Sequence, residues 1–258
     1  MKKIKSLVAS SFWLRSFYFL GLWIVKYPAF IGDYFKIKKL SSHNLRFPIK
    51  FKEISPCLFD NVKKTGFEPH YTYHPAWAAR IIADKIKPTK HIDISSILHF
   101  STLLSAFVPT EFYDYRPAEI QLSNLECKKG DLTNLPFKDN SVESISCMHT
   151  IEHIGLGRYG DKIDPEGDIK AVKELVRVLR PGGSLLLVIP IGKSKMKFNA
   201  HRIYSYKQII ELFKANMIVK EFSLIPDNFT ETGIIYNATE DESNKQDWGC
   251  GCFWLIKK

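Results

Sequence analysis

The 258-residue sequence lacks the features that mark several common classes of protein. Its five cysteines are an odd number and form no Cys-x-x-Cys pair, which argues against a disulfide framework and fits a reducing, cytoplasmic compartment. No repeat or low-complexity tract occurs, and the 45% apolar content excludes a disordered chain. The longest uncharged stretch near the N-terminus runs only from Ser16 to Val25, whereas a bilayer core needs about 20 apolar residues. A membrane-spanning helix is therefore not expected.

The charge is distributed unevenly along the chain. Of 37 basic and 27 acidic side chains, residues 1–65 hold 13 basic and 3 acidic, so residues 66–258 hold 24 of each. A balanced body has no overall field that would attract a polyanion, and any anionic partner must meet the first quarter of the chain. We therefore do not expect nucleic acid as a partner.

The composition predicts two domains, a basic and aromatic N-terminal segment (residues 1–65) and a larger body (66–258). Lysines at the start of the segment precede Trp and Tyr residues, a combination that favours the headgroup zone of an anionic membrane. We expect peripheral binding at the inner face of the membrane. A secretory signal peptide is less favoured, because no clear cleavage site follows the apolar run. The other alternative is a helix packed on the body or on a second subunit. The lysines at the start of the segment are Lys2, Lys3 and Lys5.

Strand and helix patterns alternate along the body. Apolar runs typical of strands are separated by helical patterns, of which the clearest are at 168–179 and 206–214. A further helix is expected to begin near Pro75. The alternation predicts a doubly wound α/β fold whose seven-stranded sheet is mostly parallel, with an N-terminal helical extension. The strands are predicted at 91–94, 111–115, 125–128, 142–148, 184–190, 217–225 and 250–256.

Distinctive residues follow the predicted strands. Ligands of open parallel sheets bind beyond the carboxyl ends of the strands. Asp93 and Asp114 close the first two strands and lie 21 positions apart, a spacing at which a carboxylate can accept from ribose hydroxyls. Gly130-Asp131-Leu132 follows the third strand, and the fourth ends at His149.

These motifs resemble the class I S-adenosylmethionine-dependent methyltransferases, from about Tyr73 to the C-terminus. The runs 130–137, 152–161 and 198–202 look closest to an uncharacterised methyltransferase-like family. The resemblance implies S-adenosylmethionine as cofactor, with Asp93 at its amino-acid end, Asp114 at the ribose, Asp131 and Leu132 at the adenine, and His149 near the sulfonium. The cofactor-binding residues expected on this basis are Asp93, Ser95, Ser96, Asp114, Tyr115, Asp131, Leu132 and His149.

One motif departs from the family. The pattern after its first strand is acidic-x-Gly-x-Gly, and Ser95 and Ile97 stand at the glycine positions. The alternative function is therefore a binding or scaffold protein of methyltransferase fold that has lost the cofactor. A nicotinamide dehydrogenase is less favoured still, because the glycine-rich dinucleotide fingerprint is absent.

The histidines suggest catalysis more than metal binding. His149-x-x-Glu152-His153 matches an inverted zinc-peptidase pattern, but it follows a strand and precedes a glycine-rich segment rather than lying within a long helix. Quinone-biosynthesis O-methyltransferases, which this chain resembles at the same strand end, hold a divalent ion there with Glu-x-x-Glu-His. We expect no metal. Were one bound, its ligands would be His149, Glu152 and His153.

An imidazole suits the removal of a proton from a hydroxyl acceptor at neutral pH. The candidate catalytic residues are His153 and His201, the latter in a predicted loop after the fifth strand. Nearby cations suggest a phosphate or carboxylate on the acceptor, and we expect O-methylation of a glycan or lipid-linked acceptor. The cations near His201 in the sequence are Lys193, Lys195, Lys197 and Arg202.

Two cysteines near the C-terminus form a separate pattern. Cys250-Gly-Cys252 could supply half of a metal site, but alternate positions on a terminal strand more often serve packing. We expect both thiols to pack in the core.

Overall fold

The computed structural model describes residues 12–41 and 46–258, with side chains from residue 16 onward. It divides into two compact units, one ending at Gly66 and the other spanning Phe67–Lys258. The lysines at positions 2, 3 and 5 lie outside the described residues.

The N-terminal unit consists of a long helix and a short irregular segment. Helix α1 spans Phe12–Leu40, and a single 3₁₀ turn covers Phe51–Glu53. Rings of the helix contact one another, with Trp23 stacked on Tyr27 at a centroid distance of 4.5 Å. None of the described helices combines the length and the apolar character that crossing a bilayer requires.

The second unit is built on a seven-stranded sheet. Its strands are β1 (His91–Ser95), β2 (Thr110–Asp114), β3 (Leu125–Lys129), β4 (Val142–Met148), β5 (Leu179–Ile191), β8 (Met217–Ile225) and β9 (Gly249–Lys257), and they lie in the order β3-β2-β1-β4-β5-β9-β8. The first five run parallel, whereas β9 is antiparallel to both β5 and β8. The strand order reverses between β1 and β4, where ligands of such sheets bind. The doubly wound, mostly parallel fold predicted from the sequence is confirmed.

Helices cover both faces of the sheet. They are α2 (Pro69–Ile81), α3 (Leu98–Leu104), α4 (Gly167–Val178), α5 (Tyr206–Phe213), α6 (Phe229–Thr232) and α7 (Glu240–Asn244). Alternate residues of β5 point to opposite faces, so Leu185 and Leu187 pack with α4 and α5, whereas Leu186 and Val188 pack with α2 and α3. Burial of this strand on both faces explains its uninterrupted apolar sequence.

Two local predictions were wrong. Helix α2 begins at Pro69 rather than near Pro75, because the Glu68 side chain caps it by accepting from the Tyr71 backbone N–H at 2.6 Å. The segment after β5 is an antiparallel hairpin instead of a loop, with β6 at Lys195–Lys197 and β7 at His201–Ile203. His201 therefore lies on a strand.

Candidate functional site

A cavity of about 580 Å³ lies at the carboxyl ends of β1 to β4. Pairing of β1 with β4 sets Ser95 opposite Met148, so the residues after both strands reach the same edge of the sheet. Of the predicted site residues, seven cofactor-binding residues and one catalytic histidine line this strand-end cavity, namely Ser95, Ser96, Asp114, Tyr115, Asp131, Leu132, His149 and His153. Asp93, Glu152 and His201 do not line it.

Acidic side chains stand on the β2 and β3 side of the cavity. Asp114 is half-buried, and its Oδ1 accepts the backbone N–H of Arg116 at 2.6 Å. No described residue donates a hydrogen bond to its Oδ2, which leaves that oxygen available to a ligand. Asp131 accepts from both the N–H and the hydroxyl of Thr133, at 2.8 and 2.7 Å. Both bonds go to Oδ1 of Asp131, so each acid uses one oxygen to shape its own turn and keeps Oδ2 free of described donors.

Asp93 lies beneath the cavity rather than in its wall. It is fully buried, and its carboxylate accepts from the hydroxyls of Ser95, Ser101 and Ser146. Burial raises the pKa of Asp93 to about 6, although the three hydroxyl donors act to lower it. All these partners are internal, so Asp93 braces the β1–β4 junction and does not reach the space that a ligand would occupy.

The turn after β1 does not require glycine at the two positions where Ser95 and Ile97 replace the glycines of the methyltransferase motif. Neither Ser95 nor Ile97 has a positive φ, so the backbone path does not require glycine at either position. The Ser95 hydroxyl turns inward to Asp93, and Ile97 does not line the cavity. The two larger side chains therefore leave the cavity open.

His149 and Glu152 form a buried pair at the end of β4. His149 has a φ of 53°, and its Nδ1 lies 3.0 Å from Oε1 of Glu152, which is almost fully buried. The other ring nitrogen, Nε2, lies 3.5 Å from Sγ of Cys250, away from His153. Among the described residues, the group of His, Cys, Asp and Glu side chains able to share one ion is not the predicted trio of His149, Glu152 and His153. Glu152 Oε1 lies 3.0 Å from His149 Nδ1 and 3.9 Å from His153 Nε2, but the three atoms are not all close enough to one another to share an ion.

His153 has the geometry of a fixed base. Its Nδ1 lies 2.6 Å from the Ala200 carbonyl oxygen, which can only accept, so Nδ1 carries the proton. The neutral ring then keeps an unshared electron pair on Nε2. The Arg158 guanidinium donates to the same carbonyl at 3.0 Å, and the Tyr159 ring meets His153 edge to face. These contacts hold the ring at the cavity wall.

His201 lies outside the cavity. Its ring stacks on Trp248 at a centroid distance of 5.8 Å and lies 6.3 Å from the His153 ring. Burial, together with the nearby Lys197, lowers the pKa of His201. It is a neighbour of the catalytic candidate His153.

The cationic cluster expected beside His201 assembles only in part, because Lys197 lies near the His201 ring whereas Arg202 and Lys193 are engaged elsewhere. Arg202 is buried and donates to the Ile154 carbonyl at 2.7 Å, and Lys193 pairs with Asp247 at 3.0 Å. The Arg202 guanidinium also approaches Asp168 at 3.7 Å. Arg202 therefore anchors the segment after β4, and its charge is not offered to an acceptor.

The glycine-rich segment after His153 also lines the cavity, which the sequence patterns did not indicate. The Asp161 carboxylate accepts the backbone N–H groups of Gly155 and Gly157 at 2.8 and 3.2 Å. Burial raises the pKa of Asp161, but the backbone donors from Tyr159, Gly157 and Gly155 outweigh that effect and lower it. A Cβ on Gly155 would lie 2.0 Å from the Asp164 carbonyl oxygen, so this turn requires glycine.

Further lining residues are contributed by neighbouring segments. Arg116 stacks on the Tyr159 ring at 4.8 Å, which links the end of β2 to the glycine-rich segment across the cavity. The 152–161 run was recognisable as a motif, but nothing in its sequence indicated which side chains face a ligand. The lining residues that the patterns missed include Tyr113, Arg116, Thr150, Tyr159, Lys162 and Lys170.

Comparisons with known proteins support the fold. The N-methyltransferase NodS from Bradyrhizobium japonicum WM9, solved with S-adenosyl-L-homocysteine, is 12% identical, with a TM-score of 0.51 over 74% of this chain and 88% of NodS. A protein of Galdieria sulphuraria provisionally assigned as a sarcosine dimethylglycine methyltransferase is 14% identical, with a TM-score of 0.51 over 70% of this chain and 84% of its own. The predicted class I methyltransferase fold is therefore confirmed.

One family profile matches the chain. It is described as "Caenorhabditis protein of unknown function, DUF268" and covers residues 129–245. These residues include the glycine-rich segment, His149, His153 and His201. No curated protein matches the sequence.

Proposed function

We propose that the chain is an S-adenosylmethionine-dependent methyltransferase that methylates a hydroxyl group. The observation that carries the proposal is the strand-end cavity, which joins most of the predicted cofactor-binding residues and His153 in one space. The cavity lies at the point where the strand order reverses, as ligand sites of such sheets do.

The cavity residues fit this cofactor. Asp114 ends β2 with Oδ2 available, as hydrogen bonding to ribose hydroxyls requires. Leu132 lines the cavity beside Asp131, and Ser95 and Ser96 line it at the end of β1. The volume of about 580 Å³ falls within the range of small-molecule sites, roughly 300–1,000 Å³.

His153 would act as the general base. When bound, S-adenosylmethionine supplies a methyl group made electrophilic by its sulfonium. His153 accepts the acceptor's hydroxyl proton on Nε2, because Nδ1 is already committed to the Ala200 carbonyl. The Arg158 guanidinium, which donates to the same carbonyl, holds that carbonyl in position. With S-adenosylmethionine bound, the deprotonated acceptor oxygen would be the nucleophile toward the methyl group, and S-adenosylhomocysteine would be the leaving product.

A second candidate is a scaffold protein of this fold that does not bind the cofactor. Ser95 favours it, because a side chain with an inward-turned hydroxyl stands at the cavity where the family has glycine. The two candidates differ in one measurable property, the affinity for S-adenosylhomocysteine.

Calorimetric titration of the full-length protein with S-adenosylhomocysteine tests the proposal. We expect saturable heat well below millimolar ligand, and Asp114→Asn should weaken binding by about 10- to 100-fold, the value of a hydrogen bond to a charged group. Asp84→Asn removes an exposed acid outside the cavity and serves as the matched control. No heat from the wild-type protein at millimolar ligand would favour the scaffold, and equal binding by both variants would exclude Asp114 as the ribose ligand.

The acceptor is proposed to be a glycan or lipid-linked molecule met at an anionic membrane surface. Support comes from helix α1, whose exposed side chains include Phe17, Trp23 and Ile24. Its C-terminal end carries Lys38 and Lys39, which suit an anionic headgroup layer. Aromatic and basic residues in this combination favour the interface over either water or the hydrocarbon core.

A further inference from the structure

A cluster of buried ligating side chains lies behind His149, outside the chemistry proposed above. His70, His149 and Cys250 are all buried, and each offers one nitrogen or sulfur atom such that the three atoms lie within 4.8 Å of one another. The three residues come from helix α2, the end of β4 and the start of β9. Sequence distance hides this cluster, because only the fold brings position 70 to position 250.

His74 adds a third imidazole to the same region. It follows His70 by four positions on α2, so both side chains lie on one face of the helix. His74 is fully buried, and neither ring nitrogen makes a hydrogen bond of acceptable geometry. Its ring centroid lies 5.2 Å from that of His149. A buried imidazole with two unpartnered nitrogens is costly unless something binds it.

His149 is oriented as metal-binding histidines are. Its Nδ1 is within hydrogen-bond distance of the Glu152 carboxylate at 3.0 Å, which directs the unprotonated Nε2 toward Cys250. Metal-ligating histidines usually donate their second N–H to such an outer carboxylate. The Nε2 to Sγ distance is 3.5 Å. Nitrogen and sulfur ligands of a tetrahedral zinc ion lie about 3.6 Å apart, given bond lengths of about 2.05 and 2.3 Å.

We propose that His70, His149 and Cys250 bind a divalent ion of the zinc class, and that the buried His74 turns its ring to supply the fourth ligand. Three imidazoles and one thiolate suit Zn²⁺ or Co²⁺ and do not suit Mg²⁺ or Ca²⁺, which prefer oxygen ligands. On binding, the Cys250 thiol releases its proton to solvent and the sulfur bonds to the ion.

The site is structural, since four protein ligands leave no position for water or substrate. It ties α2 to the sheet and fixes His149, which lines the strand-end cavity. The Cys250-Gly-Cys252 pattern then has two roles, because Cys250 binds the ion while Cys252 packs between the sheet and the helices α2 and α3.

Metal analysis of the full-length protein, purified without a histidine tag, tests the proposal. After incubation with stoichiometric Zn²⁺ and desalting, native mass spectrometry should find one zinc ion per chain. Cys250→Ala should lower the zinc content at least tenfold. Cys252→Ala is the matched control, because this thiol is equally buried on the same strand, and it should keep its zinc.

Cobalt substitution of the wild-type protein provides a readout that does not depend on the folding of a variant. Co²⁺ should produce a thiolate-to-metal charge-transfer band in the near ultraviolet, and excess Zn²⁺ should abolish it. Failure of wild-type protein to retain either ion would overturn the proposal. Equal zinc in Cys250→Ala and wild type would overturn it as well. Metal content and S-adenosylhomocysteine binding are measured in separate experiments on the wild-type protein, so failure of this proposal and failure of the proposed function can be told apart.

Discussion

The two units of the chain differ in where they keep their apolar and polar side chains. Among the described side chains of the N-terminal unit, only Tyr34 and Leu58 are buried hydrophobics, and α1 exposes aromatic and aliphatic groups along much of its length. The α/β unit has the reverse arrangement, with acids, hydroxyls and imidazoles enclosed in its interior. The first unit also carries the whole excess of positive charge.

This difference indicates that the two units depend on different kinds of interaction. An exposed apolar and basic surface gains free energy when something covers it, which is why we propose a membrane surface as the partner of the N-terminal unit. Enclosed polar groups must satisfy one another or a ligand, so the α/β unit depends on fixed internal geometry. Substitutions of interior residues in the α/β unit should therefore have larger effects than substitutions on the surface of the N-terminal unit.

The largest effect is expected at His153. His153→Ala should lower methyl transfer by about 10²- to 10⁴-fold, the usual contribution of a general base, while S-adenosylhomocysteine binding is unchanged. Transfer can be measured as labelled methyl groups passed from S-adenosylmethionine to a lipid-linked glycan extract.

Variants of two further histidines serve as comparisons for His153→Ala. His99→Ala changes an exposed residue of α3 and should have no effect. His201→Ala should cost less than about tenfold, because His201 lies outside the cavity and only borders His153. If His153→Ala retained full turnover, the base would have to be another residue.

The next effect concerns the pH dependence of stability at Asp93. Its pKa is raised from 3.8 to about 6 in the folded state, so folded protein binds more protons than unfolded protein between these values. The free energy of unfolding should therefore fall by roughly 2 kcal/mol from pH 4 to pH 6 and level off about one pH unit above that. Urea denaturation of wild type against Asp93→Asn isolates this contribution, since Asn does not titrate.

A second variant, at Ser101, tests the Asp93 prediction further. Ser101→Ala removes one hydroxyl donor to the carboxylate, which should raise the folded pKa further and extend the loss of stability to higher pH. A difference between wild type and Asp93→Asn that stayed constant from pH 4 to pH 6 would contradict the enclosed acid described above.

The smallest effect is expected on the surface of the N-terminal unit. Ile24→Glu should weaken binding to phosphatidylserine vesicles by roughly 10- to 100-fold, because it removes about 1.5–3 kcal/mol of apolar burial. Leu103→Glu is the matched control, since both side chains are exposed helical aliphatics, at 63% for Ile24 and 72% for Leu103. Co-sedimentation measures the binding of both.

The same pair of variants distinguishes the alternatives for α1. If the helix packs on a second subunit, Ile24→Glu should shift the mass measured by light scattering and leave vesicle binding unchanged. Absence of wild-type protein from the vesicle pellet would remove the membrane proposal.

Much of the fold was predictable because it depends on local periodicity. The uniformly apolar 184–190 run predicted a strand buried on both faces, and the structure buries β5 in that way. The alternation of strand and helix, joined to parallel pairing, leaves few topologies. The β6–β7 hairpin was missed because its residues, Lys195–Lys197 and His201–Ile203, show no strand periodicity that their sequence alone would reveal.

The sequence by itself determined which residues end the strands, and hence that Asp114, Asp131, His149 and His153 would gather at one edge of the sheet. Only the tertiary structure decided where each side chain points. Asp93 turns inward because three hydroxyls from separate positions offer it hydrogen bonds, and Arg202 is buried because backbone carbonyls after β4 accept from it. Likewise, His70 meets Cys250 only in the folded chain. Periodicity is a local property, whereas the partners of a buried polar group come from distant segments, and their hydrogen bonds fix its direction.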